Sequence, residues 1–161
     1  MDESRSPLPH ETEPERIDRN WNEILQELRV TQTGTQIFAG FLLTLAFQPR
    51  FAELDAFDRY LYLGVLIAAI ASTVLALAPV SMHRALFRQR AKPMIVRFAN
   101  FALKTVLALI SLVLIGTVLL VVDLVTNRTA AMIAAGGMLL LVLVAWLLLP
   151  WITRLRRAQR D

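Results

Sequence analysis

Two groups of polar residues in this chain have types and spacings that could do chemistry. Glu23, Glu27, Arg29, Gln32 and Gln36 follow one another down one helical stretch, while Arg97, Asn100, Lys104 and Ser111 run up another. Steps of three and four residues place side chains near one another on a helix surface. If the two stretches meet, a carboxylate such as Glu27 can pair with Arg97 or Lys104. If instead they border water at the mouth of a membrane bundle, the same groups can admit a cation or pass a proton. Gln32, Gln36, Gly40 and Thr44 recur every four residues. They offer neutral oxygens to an ion, or hydrogen bonds to a neighbouring helix worth about 0.6–2 kcal/mol each.

Other chemistries find no residues. His10 and His83 are too few and too far apart for a metal site, and cysteine is absent. There is no P-loop, no GxSxG, no HExxH and no CxxC motif. No catalytic residue, cofactor or metal is therefore expected, and the chain reads as a non-enzyme.

The elements that must carry these polar groups are apolar. Of 161 residues 56% are hydrophobic and 19% charged, against roughly a quarter charged in a soluble domain. The apolar residues gather in four runs of the length that crosses a bilayer. Spans are expected at about 31–47, 60–80, 105–125 and 130–151. Pro49, Pro79 and Pro150 mark three of their ends. The expected fold is an all-α antiparallel four-helix membrane bundle occupying residues 31–152. Segment 1–14 is expected to be a disordered tail, and 153–161 a short basic one. Between tail and first span, Thr12 and Glu15 have capping-box spacing. Ile17, Trp21, Ile24, Leu25 and Leu28 then form an apolar stripe, so residues 15–30 are expected as an amphipathic helix. It would lie on the membrane surface or pack under the bundle. In the third run Met94, Ile95, Phe98, Phe101 and Ala102 are expected on the apolar face. Gly64, Ala68, Ser72 and Ala76 recur every four residues in the second run, a small-residue ridge along which another helix could approach closely. Gly136-Gly137 is either a close-approach point or a weak spot.

The charge orients these spans. The net charge is +4, but residues 1–30 carry −4 and residues 81–104 carry +6, the latter from Arg84, Arg88, Arg90, Lys92, Arg97 and Lys104. With four spans, the two termini and the middle connection share one side, which then holds fourteen of the seventeen Lys and Arg residues. The positive-inside rule makes that side cytoplasmic. Arg84, Arg88, Arg90 and Lys92 could also meet anionic lipid headgroups. Because the basic residues flank apolar runs, they give no reason to expect nucleic acid as a partner. The expected partners are the bilayer itself, and a second copy or another membrane protein on the small-residue ridge. The runs 30–48, 60–80, 105–122 and 129–151 contain no Asp, Glu, Lys, Arg or His. An intramembrane ion carrier would normally be one of these. Asp123 and Arg128 are expected to pair across the short connection between the third and fourth runs.

The block Glu15-Arg16-Ile17-Asp18-Arg19-Asn20, followed by Asn22-Glu23-Ile24-Leu25-Gln26-Glu27-Leu28-Arg29-Val30-Thr31-Gln32-Thr33-Gly34, resembles a known family. Phe41-Leu42-Leu43-Thr44-Leu45 and Ala78-Pro79-Val80 with His83-Arg84 extend the likeness over residues 15–150. The family is one of small bacterial four-helix membrane proteins of unknown function, whose members are often labelled sodium:proton antiporters. The resemblance implies an inner-membrane location and brings no catalytic residue with it. Two functions follow as expectations: a non-enzymatic scaffold or accessory subunit, or a small cation/proton antiporter working through Glu23 or Glu27 with Gln32 and Gln36.

Overall fold

The computed structural model describes residues 12–85 and 92–152. They form four long helices and no strand: α1 (Glu13–Leu45), α2 (Ala56–Ala85), α3 (Lys92–Val125) and α4 (Arg128–Leu143). A 3-10 helix, Pro49–Glu53, lies between α1 and α2. The tail segments 1–11 and 153–161, with Arg88 and Arg90, lie outside the described residues.

At the start of α1 the Glu15 carboxylate accepts both the backbone N–H and the hydroxyl of Thr12, at 2.8 and 2.7 Å. This is the Glu half of the expected capping box. The helix then runs unbroken through residues 30 and 31, where the sequence suggests a surface helix giving way to a span. Two features explain the continuity. The hydroxyls of Thr31, Thr33 and Thr44 donate to carbonyls four residues back, and that of Thr35 to the carbonyl three back, so these hydroxyls are satisfied within the helix. The inward positions also keep one register. Ile24, Leu28, Thr35 and Leu42 are buried, with Trp21, Thr31, Phe38 and Leu45 half-buried between and beside them. Alternating steps of three and four are those of helices packed side chain into gap.

The other helices follow the same rule. On α2 the buried positions are Tyr62, Val65, Ala69, Ser72, Ala76 and Pro79. On α3 they include Ile95, Ala99, Ala102, Val106, Val113, Gly116 and Leu120. This register puts Ile95 and Ala102 inside, but Met94 and Phe101 outside, so the expected face is only partly the buried one. α1, α2 and α3 share two apolar clusters. Ile24 and Leu28 meet Ala76, Ala99, Leu103 and Val106 at one level. Leu42 meets Val65, Ala69 and Val113 at the other. α1 therefore lies antiparallel to α2, and Trp21, Ile24 and Leu28 of its stripe face the bundle. α4 packs chiefly on α3 and buries only Ala131 and Ala135 between Arg128 and Leu143.

Three helices are long and apolar enough to cross a membrane: Ala56–Met82, Met94–Val125 and Arg128–Ile152. α1, with its Gln- and Thr-rich middle, is not among them. α2 also does not stop at Pro79. That residue is buried in the bundle and the helix continues to Ala85. Neighbouring helices and local adjustment can tolerate such a proline in an apolar bundle. Near the end of the fourth helix, one π-helical turn spans Val144–Leu148, just ahead of Pro150.

Candidate functional site at the short-loop end

The registers that build the core also predict where its charge goes. One step before Tyr62 on α2 is Asp58, one step after Leu120 on α3 is Asp123, and one step before Ala131 on α4 is Arg128. All three lie at the end of the bundle where the two short connections run. They converge there, joined by Asp55.

Asp55 stands just before α2. Its Oδ1 accepts the N–H of Asp58 at 2.8 Å, an N-cap bond. Asn127 does the same for α4, its Oδ1 accepting the Ala130 N–H at 3.0 Å. These caps fix the first turns that carry Asp58 and Arg128. The guanidinium then reaches three carboxylates: Asp55 Oδ2 at 2.9 Å, Asp58 Oδ2 at 3.6 Å and Asp123 Oδ2 at 2.5 Å. It also lies over the Phe57 ring, 4.0 Å from the centroid. The expected Asp123–Arg128 pair is thus one edge of a four-residue cluster.

Asp123 and Arg128 sit at unfavourable helix ends. A carboxylate in the last turn of α3 and a cation in the first turn of α4 each oppose the helix dipole. Pairing them offsets both penalties. The Asp58 N–H, and after it Arg128, hold the Asp55 carboxyl below the usual carboxylate range. The side chains of Asp58 and Asp123 are 10% and 7% exposed. Asp58 Oδ1 and Asp123 Oδ2 are buried without a hydrogen-bond donor, since the Arg128–Asp123 contact lacks hydrogen-bond alignment. One guanidinium cannot neutralise three carboxylates, so the cluster carries an excess of negative charge that a proton could relieve. Among the described residues, no group of three or more His, Asp or Glu side chains is arranged to hold a metal ion.

Two further features complete this end. The Tyr62 hydroxyl donates to the Leu42 carbonyl at 3.0 Å, tying α2 to α1, and its ring meets Phe51 edge-on at 4.8 Å. Gly116 on α3 faces Val65 on α2 so closely that a Cβ would overlap Val65 Cγ2. Among the described residues, Gly116 is the glycine whose added Cβ would meet a neighbouring helix. Of the ridge, Ser72 and Ala76 are buried in the core, Ala68 is half-buried and Gly64 is exposed with open space around it. The steps of four rotate the ridge from the outside of α2 to its inside. Gly136 and Gly137 likewise have open space around them.

The polar residues singled out in the sequence lie mostly towards the opposite, tail end. Glu27, Arg29, Arg97, Asn100 and Lys104 are exposed, and Gln32 is half-buried. Gln36 is also exposed, further along α1. α1 and α3 do meet at this end, through Ile24, Leu28, Ala99 and Leu103. Their polar residues flank that contact, and among the described residues Glu27 forms no ion pair with Arg97 or Lys104. Glu23 pairs with Arg19 at 3.6 Å. Glu23 and Glu27, with Gln26, Thr31 and Leu103, border an open groove of about 670 Å³. Arg84 is exposed near the end of α2, and Lys92 opens α3.

Fold and site together define a helical protein with three helices built to cross a membrane, tied at one end by an ionic cluster. The family model for DUF6328, a family of unknown function, matches residues 10–150, and the chain belongs to that family. No curated protein and no solved structure matches it.

Proposed function

We propose that the chain is a four-span protein of the bacterial inner membrane with both termini cytoplasmic. In this reading it acts without catalysis, as a scaffold or accessory subunit that assembles through α1. The observation carrying the proposal is the level at which the polar part of α1 lies. Leu28 packs beside Ala76, and Leu42 beside Val65 and Ala69. The stretch Thr31–Gln36 therefore runs alongside the middle of the apolar helix Ala56–Met82. If α2 crosses a bilayer, α1 crosses with it.

The threonine hydroxyls are satisfied within α1. The Gln36 amide is exposed and, among the described residues, makes no hydrogen bond. In hydrocarbon such a group is stabilised by another helix, and a second copy offers the same glutamine in return. Because the chain has no cysteine, Gln36→Cys is a single reporter in the full-length protein. Oxidation in native membranes should give a disulfide-linked dimer. An adduct with a different protein would replace self-assembly by an accessory role, and monomer alone would contradict both.

The excess of carboxylates around Arg128 favours a second reading, cation/proton exchange. Sodium-driven proton flux in proteoliposomes, abolished by Asp58→Asn or Asp123→Asn, would support it. Absence of flux in the unmodified protein would remove it.

A further inference from the structure

The short-loop end also contains a cavity of about 400 Å³, in the size range of ligand pockets. It lies between the last turns of α1 and α3 under the 3-10 helix. Phe41, Leu45, Phe51, Leu120 and Leu124 supply much of its apolar wall. The Tyr62 ring contributes too, but its hydroxyl is already committed to the Leu42 carbonyl. Polarity is confined to the mouth, at Gln48 and Arg50.

Arg50 is the one charged residue lining the cavity, and among the described residues it forms no ion pair. The nearby arginines are engaged: Arg59 donates to the Leu54 carbonyl at 3.5 Å, and Arg128 holds the three aspartates. Leu120 and Leu124 belong to the membrane-capable helix Met94–Val125, whereas Gln48 and Arg50 lie beyond the end of α1. The cavity therefore has an apolar interior at membrane depth and a cationic lip where headgroups lie. Water gains few hydrogen bonds in an apolar cavity, and acyl chains are the apolar molecules a bilayer supplies in excess.

We propose that this cavity binds one anionic phospholipid, with an acyl chain between α1 and α3 and the headgroup phosphate on Arg50. The site is distinct from the assembly face on α1, and its test does not depend on oligomeric state. Full-length protein, delipidated in detergent, would be titrated with phosphatidylglycerol, phosphatidylcholine or inorganic phosphate and followed by native mass spectrometry. One phosphatidylglycerol per chain should be retained under conditions that strip phosphatidylcholine, with inorganic phosphate not retained. Arg50→Gln, at an exposed position, should weaken phosphatidylglycerol retention about tenfold, the effect of losing a charge-assisted bond. Leu124→Trp, which fills the cavity, should abolish it while circular dichroism remains helical. If Leu124→Trp does not fold, Arg50→Gln decides alone. Equal retention of the two lipids, retention of phosphate alone, or unchanged retention by Arg50→Gln would overturn the proposal.

Discussion

At the short-loop end Asp55, Asp58 and Asp123 close on Arg128 at 2.5–3.6 Å. At the tail end Glu27, Arg97, Asn100 and Lys104 point away from the helix contact beside them. The packing registers run through both ends, so the difference lies in which residues occupy them. At the short-loop end charged residues fall on the inward positions and must find one another. At the tail end Ile24, Leu28, Ala99 and Leu103 fill those positions, and the charges keep their hydration. Polar residues near two helix ends make a site only when the register turns them towards each other.

Removing Arg128 should break this contrast most sharply. Arg128→Met leaves Asp58 and Asp123 as largely buried carboxylates without their cation. The expected destabilisation is about 2–3 kcal/mol, below the usual loss for a fully buried pair because Arg128 is 38% exposed. Unfolding in detergent micelles checks it. Adding Asp58→Asn and Asp123→Asn to the same chain should recover most of the loss.

Next in size is the glycine contact. Gly116→Ala must displace the stiff Val65 side chain and is expected to lose about 1–3 kcal/mol. Gly64→Ala, with nothing within 4 Å, should instead stabilise by about 0.5–1 kcal/mol through helix propensity. Combining Gly116→Ala with Val65→Ala should destabilise less than the two single changes added together, as a double-mutant cycle would show.

Asp55 gives a smaller effect with a pH signature. Asp55→Ala removes the α2 cap and should lower stability by less than the Gly116 change. Because the folded-state carboxyl is held below its ordinary value, its contribution is present at neutral pH. It is lost as pH falls from about 4 through that lowered value. The melting temperatures of the unmodified protein and Asp55→Ala should therefore converge on acidification. The smallest effects belong to the tail end: Glu27→Gln and Lys104→Gln should each change stability by at most about 0.5 kcal/mol.

The apolar runs made the helices legible, and the Asp123–Arg128 pair could be read from proximity in the chain. The rest of the cluster was hidden because Asp58 lies 65 residues from Asp123. Only the alternating three-and-four register, extended past the last apolar residue, would have turned both inward. Of Gly64, Ala68, Ser72 and Ala76, the last two reach the core and Gly64 does not, because a helix turns about 40° past alignment in four residues. The continuity of α1 is obscured by Thr31–Gln36, whose polar side chains lower its hydropathy while the threonine hydroxyls bond within the helix and leave it unbroken. The cavity at Arg50 depends on how the 3-10 helix folds over α1 and α3, a placement no local pattern encodes.

Whether α1 crosses the membrane is tested most directly by labelling single cysteines in this cysteine-free chain. Thr12→Cys and Glu53→Cys, placed before and after α1, would be exposed in intact cells to a membrane-impermeant maleimide. If α1 crosses with a cytoplasmic N-terminus, Glu53→Cys is labelled from outside and Thr12→Cys only after the membrane is opened. Labelling of both positions from the same side would contradict the four-span arrangement and the assembly through α1 that rests on it.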